Sequence, residues 1–139
     1  MSVEFLDSNV LVYLVDRRSP AKQAIAQQLV HEGSARQSAI ISYQVVQETL
    51  HVLTRKLKVM VTADDAQDFL HDVLAPLWKI MPSAALYSQA LTLQKRYGFS
   101  FYDSLIVAAA VEGGCKRLLS EDLQHGQMIG KLRIENPFF

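Results

Sequence analysis

The sequence has a single cysteine, Cys115, and only four prolines and six glycines in 139 residues. One thiol builds no disulfide framework within the chain, which fits a reducing compartment such as the cytoplasm. No stretch is rich enough in proline, glycine or serine to act as a linker, and there is no internal repeat or low-complexity tract. No apolar run approaches the ~20 residues of a membrane span. Glu4 and Asp7 stand early and no basic stretch precedes them, so no signal peptide is expected. Neither charge is in excess, since 14 Lys and Arg face 14 Asp and Glu. Bulk charge therefore points to no partner, and a nucleic-acid binder of this composition must use a local basic patch.

Hydrophobic residues are plentiful. They make up 50% of the chain, enough for a compact core and too many for a disordered chain. One domain spanning residues 1–139 is expected. Val3 to Asp7 reads as a strand, and SNVLVYLV after it reads as its continuation or as a short helix. Ser19 and Pro20 open a helix that Gly33 is expected to stop. Ser38 to Ser42 reads as a buried strand. From Tyr43 to Lys58, Val46, Leu50, Leu53 and Leu57 recur at helical spacing. Thr62 can cap a further helix with Asp64, Asp65 and Asp68 in its first turns, ending near Pro76. Leu77 to Met81 is a third strand. Ser83 to Gly98 reads as a helix, and Ser100 opens another that ends at Gly113 and Gly114. Lys116 to Ser120 is a fourth strand, a turn or short helix covers Gln124 to Met128, and Leu132 to Glu135 is a weak fifth strand. Strands alternating with helices predict an α/β domain whose parallel sheet is covered on both faces. Such sheets bind ligands beyond the carboxyl ends of their strands.

Acids fall at that edge. Asp7 ends the first strand, and Asp122 follows the fourth, beside Glu121. Folding does not require an acid there, because a turn accepts Asn, Ser or Gly equally. Asp103 completes Ser100-Phe-Tyr-Asp103, an S-x-x-D capping pattern; capping explains it locally, and a helix start facing the crevice would also present its carboxylate to a site. Glu48 lies just outside the apolar stripe of its helix, and periodicity alone reads it as solvated. Carboxylates converging in one crevice repel unless a cation sits among them, and hard oxygen donors suit Mg²⁺ or Mn²⁺. His31, His51, His71 and His125 are scattered without ligand spacing and read as surface residues.

These positions carry a resemblance. FLDSNVLVYL, ISYQVVQETLHVLTRK, FSFYDSLIVAAAVEGGC and LLSEDLQHGQ, in this order and spacing, make the sequence similar to a PIN-domain ribonuclease, more narrowly to the VapC-type toxins, over essentially its whole length. The resemblance implies a three-layer α/β/α sandwich with a central parallel sheet of four to five strands. It implies hydrolysis of RNA by an Mg²⁺- or Mn²⁺-dependent acidic site made of Asp7, Glu48, Asp103 and Asp122. Asp7 and Asp103 would be direct ligands, and Glu48 or Asp122 would hold a second ion or orient water. Asn9 would orient Asp7. Ser120 stands where the family has Thr or Ser, and Ser8 where Thr is common. The resemblance also implies a cognate antitoxin and a homodimer.

An acidic pocket needs a basic rim to hold RNA. The candidates are Arg17 and Arg18, then Arg55, Lys56 and Lys58, then Lys116 and Arg117; for any one cluster a solvated helix face is the competing explanation. Tyr102 and Phe101 are candidates to stack on a base, with core packing the simpler account of Phe101. A haloacid-dehalogenase-type phosphatase needs a second acid where Asn9 stands, so its proton donor is missing. A receiver-type phosphoacceptor domain would want an acidic pair and a later Lys that are absent. A silent PIN-like binding module would be expected to have lost some of the four acids, because buried unpaired carboxylates cost stability.

Overall fold

A computed structural model describes residues 2–139 of the chain. The elements are β1 (Glu4–Leu6), α1 (Ser8–Tyr13), α2 (Pro20–Ala35), β2 (Ala39–Ser42), α3 (Tyr43–Arg55), α4 (Ala63–Phe69), α5 (Ala75–Leu77), β3 (Trp78–Ile80), α6 (Ala84–Tyr97), α7 (Phe101–Glu112), β4 (Arg117–Leu119), β5 (Met128–Ile129) and β6 (Leu132–Glu135). A π-helical turn, Leu70–Leu74, joins α4 to α5. The strands form one six-stranded sheet in the order β3-β2-β1-β4-β6-β5. All pairs are parallel except the β5–β6 pair.

Two glycines show that the sheet is covered on both sides. A Cβ on Gly33 of α2 would come within 2.5 Å of the Ala39 Cβ, and one on Gly113, at the end of α7, within 2.4 Å of Ile40 Cδ1. Ala39 and Ile40 are consecutive on β2, so their side chains leave opposite faces of the sheet. Helix α2 therefore covers one face and the end of α7 the other, which is the expected three-layer α/β/α sandwich. The core between them includes Phe5, Leu6, Ile41, Leu118 and Ile134, all fully buried. Ile106, Val107 and Ala110 belong to it, as their spacing predicts. No helix among the described residues is long and apolar enough to cross a membrane.

The differences from the sequence-based expectations have local causes. Gly33 does not stop α2, which runs on to Ala35; it is the small residue that lets the helix approach β2. SNVLVY is helix, because Asp7 caps it. Helix α3 stops at Arg55 rather than Lys58. The helical stretch from Ala63 ends at Leu77, one residue past Pro76, as expected, and the unexpected feature is the π-helical turn within it. The sheet gains a sixth strand at Met128–Ile129, too short to leave a pattern and held as a hairpin against β6.

The topology fixes where a site belongs. From β1 the chain builds outward through β2 to β3, then returns to place β4 on the other side of β1. The strand order reverses between β1 and β4, and ligands of open α/β sheets bind at such a switch point, beyond the carboxyl ends. Leu6 pairs with Leu119 there, so Asp7 and Ser120, the next residues, meet.

Candidate active site

Asp7 leaves β1 and caps α1. Its Oδ1 accepts the Ser8 N–H at 2.8 Å and its Oδ2 accepts the Ser120 hydroxyl at 2.7 Å. The residue is only 6% exposed. Burial pushes its carboxyl up to about 7; the bonds from Ser120 and Ser8 offset part of this, and the charges of Glu48 and Asp122 add to it. A buried carboxylate in the field of other carboxylates is costly to ionise.

Ser120, itself fully buried, is the hub on the β4 side. Its Oγ accepts the Asp122 N–H at 3.1 Å and the Asn9 amide at 3.3 Å. Asn9 also donates to Asp122 Oδ2 at 3.1 Å, and its Oδ1 accepts the Glu121 N–H at 3.4 Å. Asn9 therefore acts differently from the expectation: among the described residues it makes no hydrogen bond to Asp7 and instead fixes Ser120 and the exposed Asp122. It is Ser120 whose side chain hydrogen-bonds Asp7.

Glu48 is half-buried rather than solvated. The buried face of α3 is broader than its leucine spacing suggests and includes Gln44, Val45, Val46, Thr49 and Leu53, because α1 packs against this helix. Burial raises the Glu48 carboxyl above its ordinary range; side-chain hydrogen bonds from Gln44 and Ser8 oppose the shift, and the charges of Asp103 and Asp122 reinforce it. The Gln44 amide, one turn before Glu48, bonds it at 3.3 Å and reaches the Tyr102 carbonyl at 3.1 Å. Sequence reasoning passed over Gln44; its i, i+4 spacing to Glu48 was the available signal.

Asp103 sits in the first turn of α7. Its N–H donates to Ser100 Oγ at 3.1 Å, so Ser100 caps the helix. Among the described residues its carboxylate makes no reciprocal bond to the Ser100 backbone, and it raises Glu48 instead. The fields of the four carboxylates overlap: Asp7 feels Glu48 and Asp122, and Glu48 feels Asp103 and Asp122. Among the described residues, no Lys or Arg forms an ion pair with any of them.

The basic candidates divide. Lys56 and Arg18 line a cleft of about 260 Å³ with Ser8, Asn9, Glu121 and Asp122; Arg18 is held there by a two-pronged pair with Asp16, at 2.9 Å in each arm. Arg17 lines a separate cavity of about 430 Å³ against Asp65, Asp68 and Asp72. Arg55 and Lys58 are exposed on the outside of the α3 end. Lys116 and Arg117 are not brought to this edge. They lie at the amino end of β4, where Arg117 pairs with Glu4 and, at 2.7 Å, with Glu135. The structure adds Lys22, which bonds Glu121 at 2.9 Å and the Tyr13 hydroxyl at 3.2 Å. No local pattern pointed to that trio. The four histidines are exposed, as expected.

The donor set suits a hard divalent cation in kind, since it offers only carboxylate oxygens around a buried, hydrogen-bonded Asp7. Among the described residues no three His, Cys, Asp or Glu side chains are gathered tightly enough to hold an ion as they stand. Coupling through space, without contact, is what the four acids share.

Residues 5–129 match the family model described as PIN domain. Solved structures of the same fold include a toxin–antitoxin complex from Klebsiella pneumoniae (TM-score 0.69, 18% identity, 98% of each chain covered). VapBC2 from Rickettsia felis, bound to a DNA fragment from its promoter, aligns over 96% of this chain and 98% of that one (TM-score 0.66, 19% identity). VapC20 from Mycobacterium tuberculosis, a sarcin–ricin loop cleaving toxin, aligns over 83% and 86% (TM-score 0.59, 20% identity). No curated protein matches the sequence.

Proposed function

The chain belongs to the PIN-domain family, and from that premise we propose that it is a ribonuclease, hydrolysing RNA phosphodiester bonds at the acidic crevice with Mg²⁺ or Mn²⁺. The observation that carries this reading is Asp7, buried and held by Ser120 at 2.7 Å at the β1–β4 switch point, in the field of Glu48 and Asp122. Asp7 and Asp103 would hold the ion, with Glu48 and Asp122 beside them. When bound, such an ion polarises a phosphate and eases deprotonation of water. The side chains of this protein do the rest. Ser120 and the Ser8 N–H fix the Asp7 carboxylate in one orientation. Gln44 and Ser8 hold Glu48, whose raised proton affinity suits it to accept a proton from the attacking water. Asn9 fixes Asp122 at the mouth, where Lys56 and Arg18 would meet the phosphates on either side of the scissile bond.

The likeness to toxin–antitoxin complexes supports a wider reading. In it, residues 1–139 form a single PIN domain that acts in the cytoplasm as the toxin of a pair, as a homodimer, restrained by a cognate antitoxin. The test is RNA cleavage by purified protein with Mg²⁺, Mn²⁺ or EDTA, beside Asp7→Asn and Asp103→Asn at matched folding. Cleavage that needs the metal and disappears in both variants is expected. Cleavage that survives in both variants overturns the assignment of the site.

A further inference from the structure

Three tyrosines stand at three separate helix starts, two of them in contact and the third next to Asp103. Tyr43 begins α3, Tyr87 lies in the first turn of α6, and Tyr102 lies in the first turn of α7. The Tyr43 hydroxyl donates to the Tyr87 hydroxyl at 3.2 Å. Burial first, then that bond and the neighbouring phenols of Tyr87 and Tyr102, holds the Tyr43 phenol above its ordinary range. Tyr102 is 66% exposed and Tyr87 39%, whereas Phe101, next to Tyr102, packs on the core. The position of Tyr102 is set by the site itself: its carbonyl accepts from the buried Gln44, whose amide also bonds Glu48, and Asp103 is the next residue.

The Tyr102 backbone carbonyl is tied to Gln44 and its ring meets Phe101 edge-on, 5.5 Å between centroids, yet most of the residue is left open to solvent, which core packing does not account for. Among the described residues no cation–π contact involves the three tyrosines. A polyanion passing four carboxylates gains little there from charge. Stacking on a base supplies affinity without it, and only an unpaired base has a free face. We propose that Tyr102 is a stacking platform for the nucleobase next to the scissile phosphate. This rests on the reading of the crevice as a ribonuclease site. Cleft residues Lys56 and Arg18 would grip the backbone on one side of Asp122, and Tyr102 would seat a base on the side of Asp103.

The test uses a mixed-sequence oligoribonucleotide carrying 2-aminopurine, single-stranded or annealed to its complement, in EDTA. Wild type and Tyr102→Phe are expected to bind the single strand and quench the fluorophore. Tyr102→Ala is expected to bind about tenfold more weakly with the quenching lost, and the duplex to show no dependence on residue 102. Tyr102 is exposed, so the variant folds, as circular dichroism checks. Equal quenching by Tyr102→Ala, or none by wild type, overturns the proposal. So does a dimer of wild type that becomes monomeric in Tyr102→Ala by sedimentation, because the ring would then belong to an interface between copies. Quenching that depends on Tyr102 in a protein that cleaves nothing supports stacking while hydrolysis fails. Cleavage with unchanged KM in Tyr102→Ala overturns stacking while hydrolysis stands.

Discussion

Helices α4 and α7 begin with the same local pattern and put it to different uses. Thr62-x-x-Asp65 closes into a full capping box: the Asp65 N–H donates to Thr62 Oγ1 at 3.1 Å, and the Thr62 N–H donates back to Asp65 Oδ2 at 3.0 Å. That backbone bond is the main reason the Asp65 carboxyl lies below its ordinary value. Ser100-x-x-Asp103 makes only the first of these bonds. The Asp103 carboxylate is left to face Glu48. An acid at the third helical position is thus satisfied by its own helix in one place and unsatisfied in the other. The second arrangement leaves the Asp103 carboxylate without a hydrogen bond to the Ser100 backbone, and only the helix dipole favours it locally.

The sharpest way to break that comparison is to neutralise both acids. Asp103→Asn is expected to lower RNA cleavage by about a thousandfold while leaving the melting temperature unchanged. Asp65→Asn is expected to leave cleavage intact and lower the melting temperature by a few degrees. The Asp65 contribution has the usual carboxylate sign: with a depressed folded pKa, it is present above the unfolded value and lost as pH falls through the folded one. Thermal melts at pH 7 and pH 2.5 beside cleavage assays check both. Equal behaviour of the two variants would erase the distinction.

Asp7 extends the contrast with a large effect of opposite sign. The folded chain keeps the Asp7 proton to about 7, against 3.8 for the unconstrained group. Folding therefore takes up a proton between these values. The stability from Asp7 is full below about pH 4 and lost as pH rises through about 7, a change of the order of 4 kcal/mol. Asp7→Asn keeps a neutral side chain at every pH. In EDTA it is expected to melt about 5 °C or more above wild type at pH 8, with no gain at pH 4. The absence of any gain at pH 8 would show that Asp7 is not the strained group described above.

A smaller effect comes from Ser120. Ser120→Ala removes the bond that lowers the Asp7 carboxyl and takes their Ser120 acceptor from the Asp122 N–H and from one of the two bonds of the Asn9 amide. It is expected to cost about 1–2 kcal/mol and to move the pH–rate profile of cleavage toward alkali. An unshifted profile with lost stability would make Ser120 merely structural. The smallest is Arg117→Met, at the opposite end of β1 and β4, where Glu4 and Glu135 share a partly exposed cation. A loss of about 1 kcal/mol in urea denaturation, with cleavage unchanged, is expected.

Strand and helix alternation, the cap residues Thr62, Ser83 and Ser100, and the placing of Asp7 and Asp122 at strand ends were all legible in the sequence. Each depends on contacts within a turn or on a short hydrophobic period, so neighbouring residues suffice to specify them. The sequence motifs also named the family that residues 5–129 match. Only tertiary packing decided the rest. Glu48 became half-buried because α1 lies over α3, beyond the reach of any helical wheel. Gly33 stayed inside α2 because Ala39 of another element sits against it. Arg117 left the list of basic residues at the acidic edge because β-pairing put Glu4 and Glu135 beside it. Asp65 and Asp103 are told apart by what stands across from each helix start, a choice that belongs to distant parts of the chain and that local propensity does not encode.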